Sequence, residues 1–105
     1  MDTIKFRLTY GFSPNPGDKL AVQTAGNLPT IPATDLPPRF EQYVIVEVTI
    51  DVEGRVADAR IVAGMVDESI QQTLLSAIRE FKYSPATHNG SPVPSQRDIV
   101  IHVPS

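Results

Sequence analysis

The sequence predicts an α+β domain of two layers, with one main helix packed on a small antiparallel or mixed sheet. Val44, Val46, Val48, Ile50 and Val52 recur at a period of two, which is the pattern of a strand with one face in a core. Ile70, Leu74, Ala77, Ile78 and Phe81 fall at i, i+4, i+7, i+8 and i+11, which is the stripe of an amphipathic helix. Ile99, Ile101 and Val103 then alternate again. Two strands and a helix thus require, and receive, a further strand on which the helix can close.

Residues 4–10 come first, with Ile4, Phe6, Leu8 and Tyr10 set against Lys5, Arg7 and Thr9, so they read as a half-buried extra strand. Gly11 and Ser13-Pro14-Asn15-Pro16-Gly17 end it. Residues 11–40 show little periodicity. Pro29, Pro32, Pro37 and Pro38 remove backbone donors there, so the stretch reads as mostly extended loop. Lys19 to Gln23 is a candidate short strand, and Thr34-Asp35-Leu36-Pro37 carries helix-start chemistry for a turn over about 36–41. Residues 1–36 are accordingly read as an N-terminal strand and Pro-rich segment, an extra strand or linker, and 37–105 as the main domain.

The strand from Tyr43 ends at Val52-Glu53-Gly54-Arg55, a turn in which Gly54 supplies a positive φ. Val56 to Val62 returns. For Val56, Ala59 and Ile61 to face inward together, a bulge must fall near Ala57-Asp58. Asp67 is a candidate N-cap and Glu68 suits the first turn of a helix over about 68–82. Leu75 widens its apolar stripe, and Gln71, Gln72, Ser76, Arg79 and Glu80 should face water. Pro85 disfavours helical geometry at Ser84, the chain turns again at Asn89-Gly90, and a final strand runs from about Arg97 to Val103. The expected core comprises Val46, Val48, Ile50, Ile61, Leu74, Ile78, Phe81 and Tyr83, with Gly54 and Pro85 fixing its turns.

Composition excludes several function classes. The chain has 105 residues, 41% hydrophobic and 20% charged, which suits one small folded domain. Net charge is −3 and there is no Lys/Arg run, which argues against nucleic acid as a partner. Without Cys there is no disulfide, thiolate ligand or thiol nucleophile. No apolar run approaches the roughly 18–20 residues of a membrane span, and Met1-Asp2-Thr3-Ile4-Lys5 lacks the apolar core of a signal peptide. On composition alone the chain reads as a cytoplasmic protein or an excised soluble domain.

No catalytic constellation emerges, and neither a metal nor a cofactor is expected. His88 and His102 lie in different elements without ligand spacing. Ser91 follows Asn89-Gly90, but Pro92 and Val93 do not make a nucleophile elbow. Glu47 and Asp51 share a strand face and read as solvated rather than as a catalytic carboxylate pair. Arg55 and Arg60 read as solvated or paired with Asp58. The residues favour a binding module over an enzyme.

From about 37 to 103 the chain resembles the C-terminal domain of TonB-family energy transducers. The resemblance rests on the strand Val44 to Ile50 followed by Asp51-Val52-Glu53-Gly54-Arg55-Val56, on Ala59-Arg60-Ile61-Val62, and on a helix containing Leu74 and Ala77. Phe81-Lys82-Tyr83-Ser84-Pro85-Ala86, Asn89-Gly90-Ser91-Pro92-Val93 and the apolar last strand complete it. Leu36-Pro37-Pro38-Arg39-Phe40 replaces the family's aromatic-Pro start, Glu41-Gln42-Tyr43 stands where a Gly commonly precedes the first hairpin strand, and the front segment is shortened. The resemblance implies a β-β-α-β core and a periplasmic interaction domain, anchored to the inner membrane through a part absent from this chain. It also implies a partner, the TonB box of outer-membrane transporters, which adds as a strand to the last strand. Here that strand offers Arg97, Asp98, Ile99, Val100, Ile101, His102 and Val103. Inner-membrane motor proteins would act through the absent part. Self-association as a homodimer through the same edge is compatible with this reading, as is a general envelope interaction module without energy transduction.

Phe81 is the largest side chain of the helix stripe. Phe81→Ala is expected to cost about 3–5 kcal/mol. A urea titration showing a loss under about 1 kcal/mol would remove Phe81 from the core.

Overall fold

A computed structural model describes residues 3–10, 18–32, 43–64 and 67–102. The strands over the first 32 residues are β1 (Thr3–Lys5), β2 (Arg7–Tyr10), β3 (Asp18–Lys19), β4 (Val22–Ala25) and β5 (Thr30–Pro32). Two long strands follow, β6 (Tyr43–Ile50) and β7 (Val56–Ala63), then the helix α1 (Glu68–Arg79). After it come β8 (Lys82–Ser84), β9 (Ala86–His88), β10 (Ser91–Val93) and β11 (Ser95–His102). The main sheet has the order β2-β11-β6-β7, and every pairing among the described residues is antiparallel.

β6 is central because it is the most regularly alternating strand. Val44, Val46, Val48 and Ile50 are fully buried, and between them stand half-buried Ile45, Glu47 and Thr49. β6 pairs with β11 from Ile50↔Ser95 to Tyr43↔His102, and with β7 on its other side. The expected bulge is present: Thr49 pairs with Asp58 and Ile50 with Val56, leaving Ala57 as the extra residue. It restores the inward register of Val56, Ala59 and Ile61. A second bulge at Val62, between Ile61↔Val46 and Ala63↔Ile45, leaves Val62 half exposed.

The helix ends at Arg79, earlier than the expected 82. Glu80 caps it, its N–H reaching the Ala77 carbonyl, and the Phe81 N–H bonds back to the Ile78 carbonyl. Pro85 therefore does not stop the helix. The stop is the demand for strand geometry at Lys82–Ser84, which pairs with Val22–Ala25 and donates the Tyr83 N–H to the Gly54 carbonyl at 2.8 Å. Phe81 lies beyond the helix yet is fully buried. Asp67 occupies the N-cap with extended backbone, but its carboxylate makes no capping hydrogen bond. Ile70, Leu74, Leu75 and Ile78 form the buried stripe.

The N-terminal segment is more ordered into strands than its sequence pattern conveys. The alternating run 4–10 breaks at Phe6 because its two halves take different partners, β1 pairing with β5 and β2 with β11. Instead of one strand over Lys19–Gln23, β3 pairs with β9 and β4 with β8, on either side of Leu20-Ala21. β5 shows that a Pro is compatible with pairing at a strand end, Pro32 lying opposite Thr3. The turn expected over about 36–41 lies outside the described residues.

Past the helix, Asn89 (φ 50°) and Gly90 (φ 84°) form the two left-handed positions of a tight hairpin turn between β9 and β10. The last strand starts at Ser95, earlier than the expected Arg97, and is described to His102; Val103 lies outside the described residues. The molecule is elongated, 48 × 21 × 20 Å.

The β6–β7 turn is held from within by Asp51. Its Oδ1 accepts the N–H groups of Glu53 and Arg55, both at 2.9 Å, and Arg55 also reaches Glu53 at 2.8 Å rather than Asp58. Arg60 likewise pairs with Glu47, at 2.9 Å. The turn is also held from outside. Gly54 has φ +83°, and a Cβ there would lie 1.9 Å from the Tyr83 carbonyl oxygen, so no side chain fits. A Cβ on Gly90 would meet nothing within 4 Å.

Gly54→Ala is expected to cost about 3 kcal/mol or more, through strain and displacement of Tyr83. Gly90→Ala, which meets only the backbone penalty, should cost about 1–2 kcal/mol. Equal losses in paired thermal or urea melts would rule out the Gly54–Tyr83 contact as the cause.

The Asp51 carboxyl is held below its ordinary value of 3.8, chiefly by the Arg55 backbone N–H; desolvation opposes this, and the Glu53 N–H and the Arg55 guanidinium assist it. A folded-state pKa below the unfolded one stabilises at pH values above the unfolded pKa, and that contribution is lost as pH falls through the lowered value. The stability gap between wild type and Asp51→Asn should be constant above about pH 5 and shrink below about pH 4. Urea titrations across that range would refute the role of the carboxylate if the gap widened in acid.

Candidate functional site

The candidate site is the edge of β11 that faces away from β6. Odd-numbered residues of β11 point to the core and even-numbered ones to the opposite face, as the pleat requires. Ile99 and Ile101 are fully buried, opposite Val46 and Val44. Val100 and His102 are half-buried, opposite Ile45 and Tyr43. Asp98 is exposed and lies opposite Glu47, a like-charge pair that would be unfavourable alone. Arg60 offsets it by holding Glu47 in a two-donor contact, Nη2 at 2.9 Å and Nε at 3.2 Å.

Arg97 shares the core-facing side with Ile99 and Ile101 but carries a charge. It is half-buried, and its Nη1 donates to the Ala21 carbonyl at 2.6 Å. That acceptor comes from the link between β3 and β4, where Ala21 is fully buried. A guanidinium on the inner row is thus satisfied by backbone from the N-terminal segment. Beside it is an open cleft of about 720 Å³, lined among others by Lys19, Val22, Ser84, Thr87 and Arg97.

The outer edge of β11 already carries a strand. β2 pairs there in antiparallel register, Tyr10↔Ile99, Thr9↔Val100, Leu8↔Ile101 and Arg7↔His102. Phe6 and Leu8 are partly buried against the core. The structure therefore brings six of the seven expected edge residues together in one strand. It adds Ser95 and Gln96 to that strand, and Arg7, Leu8, Thr9, Tyr10 and Ala21 as its neighbours. The alternation of residues 4–10 is the sequence signal for an extra strand, but alternation does not name a partner. Nothing in the sequence pattern points to Ala21.

His88 and His102 lie in β9 and β11. Among the described residues, no group of three or more His, Cys, Asp or Glu could hold a metal ion. No helix among them is long and apolar enough to cross a membrane.

This geometry is an α+β domain with an antiparallel sheet whose last strand lies between β6 and an edge neighbour, β2. The chain belongs to the family of Gram-negative bacterial TonB protein C-terminal domains, whose family model matches residues 39–102. That family comprises non-enzymatic interaction and transducer domains of the periplasm that engage outer-membrane receptors. Comparisons with curated proteins and with solved structures return no match.

Proposed function

We propose that residues 37–105 form the receptor-binding domain of a TonB-like energy transducer, and that residues 1–36 are an accessory segment whose strand β2 covers the β11 edge. The domain binds the TonB box of an outer-membrane transporter by strand addition to the edge formed by Arg97 to Val103. The full-length protein is anchored in the inner membrane and coupled there to motor proteins.

The observation that supports this most is the β2–β11 ladder itself. A short, non-contiguous segment already pairs with Ile99–His102, so this edge has the geometry and register that strand addition uses, and β2 occupies the place a partner strand would take. Strand addition along four residues forms few hydrogen bonds, each contributing about 0.5–1.5 kcal/mol net. After the cost of ordering a peptide, the grip is modest and reversible, which suits repeated engagement of transporters. The same ladder supports a second reading, a general envelope interaction module in which the edge serves another partner or a second copy of the chain.

A TonB-box peptide is expected to shift the backbone amide signals of Ile99–His102 in a titration of the isotope-labelled protein. Unchanged signals at millimolar peptide would count against the transporter reading. Light scattering over a concentration series distinguishes a monomer from self-association through the same edge.

A further inference from the structure

We propose that Arg7–Tyr10 is a built-in ligand of the β11 edge, and that partners bind by exchanging with it. This rests on the edge being the binding surface, as proposed above. Three observations carry it. β2 is only four residues long and pairs with β11 alone within its sheet. It lies opposite Ile99–His102, and its register stops there while β11 continues to Ser95. The segments on either side of it also have partners of their own that do not depend on β2: β1 pairs with β5, and β3 and β4 pair with β9 and β8. Releasing β2 therefore leaves the β11–β6–β7 sheet and its buried valines and isoleucines in place.

The occupant specifies what can replace it. Leu8 and Tyr10 stand at the register positions opposite Ile101 and Ile99, the two fully buried residues of β11, while Arg7 and Thr9 stand opposite half-buried His102 and Val100. A strand that exchanges with β2 must carry apolar residues two apart at the first pair of positions and tolerates polar residues at the second. The partner is thus an extended peptide with a polar–apolar–polar–apolar pattern. Exchange also sets its apparent affinity. If the edge is uncapped in about one molecule in ten, the apparent dissociation constant rises about tenfold over the intrinsic one.

The test uses the full chain and two variants that weaken β2 without touching β11. Leu8→Asp places a carboxylate against the core edge, and Thr9→Pro removes a backbone donor from the strand. Unchanged amide signals of Val44–Ile50 establish that each variant is folded. Two synthetic peptides are titrated by amide shifts, one of residues 4–11 of this chain and one a TonB box. The expected result is that the 4–11 peptide binds both variants about tenfold more tightly than wild type, with shifts at Ile99–His102. Equal affinity for wild type and both variants, or shifts away from β11, overturns the inference. A 4–11 peptide that gains affinity while the TonB box stays silent on every chain upholds the exchange and rejects the transporter reading alone.

Discussion

The eight-pair register of β6 against β11 is the constraint on which the rest of the molecule depends. It sets Val44 and Val46 beside Ile101 and Ile99, all fully buried and in one cluster with the Ile70, Leu74 and Ile78 stripe of α1. Each such side chain contributes roughly 1.5–3 kcal/mol by leaving water. A slip of one residue would turn every one of them to the opposite face, so burial and register enforce each other. The register also fixes the position of Arg97, which shares the inner row. That position obliges the N-terminal segment to lie close enough for the Ala21 carbonyl to accept its hydrogen bond.

A second constraint acts where the β6–β7 turn meets the chain leaving the helix. Gly54 touches Tyr83 backbone to backbone, with room for no Cβ between them. This contact, more than the proline after it, determines where the helix yields to β8. Phe81 and Tyr83 are then drawn into the core from an extended segment instead of a helical face. The tight Asn89-Gly90 turn returns the chain so that β11 enters beside β6.

Much of this was legible because the signals are local. The alternation of Val44 to Ile50, the 3.6-residue stripe from Ile70 to Ile78 and the out-of-step spacing of Val56 and Ala59 each name their element without outside information. The bulge at Val62 left no such trace, since a valine fits either face of a half-buried strand. The short strands of residues 18–32 were illegible for a related reason. Each is two to four residues long and exists only through a distant partner, more than 50 positions away for β3 and β4 and at least 25 for β5, so no run is long enough to show a period. The candidate site divides in the same way. The Ile99/Ile101 alternation identifies the strand, whereas its edge neighbour is a matter of long-range pairing. What joins them is that a family of periplasmic interaction domains here carries, on its last strand, a segment of its own chain.

The antiparallel sense of β2 on β11 has a mechanical consequence. Arg7 lies opposite His102, so the chain before Arg7 and the chain after His102 leave the ladder at the same end. The short β1–β5 ladder has the same layout, with Thr3 opposite Pro32. Tension that draws Arg7 and His102 apart at this shared end would load the bonds of the β2–β11 ladder one after another, like a zipper, and not all at once as in shear. The strand that covers the edge is therefore the part of the sheet that gives way under the smallest pull, ahead of the interior strands.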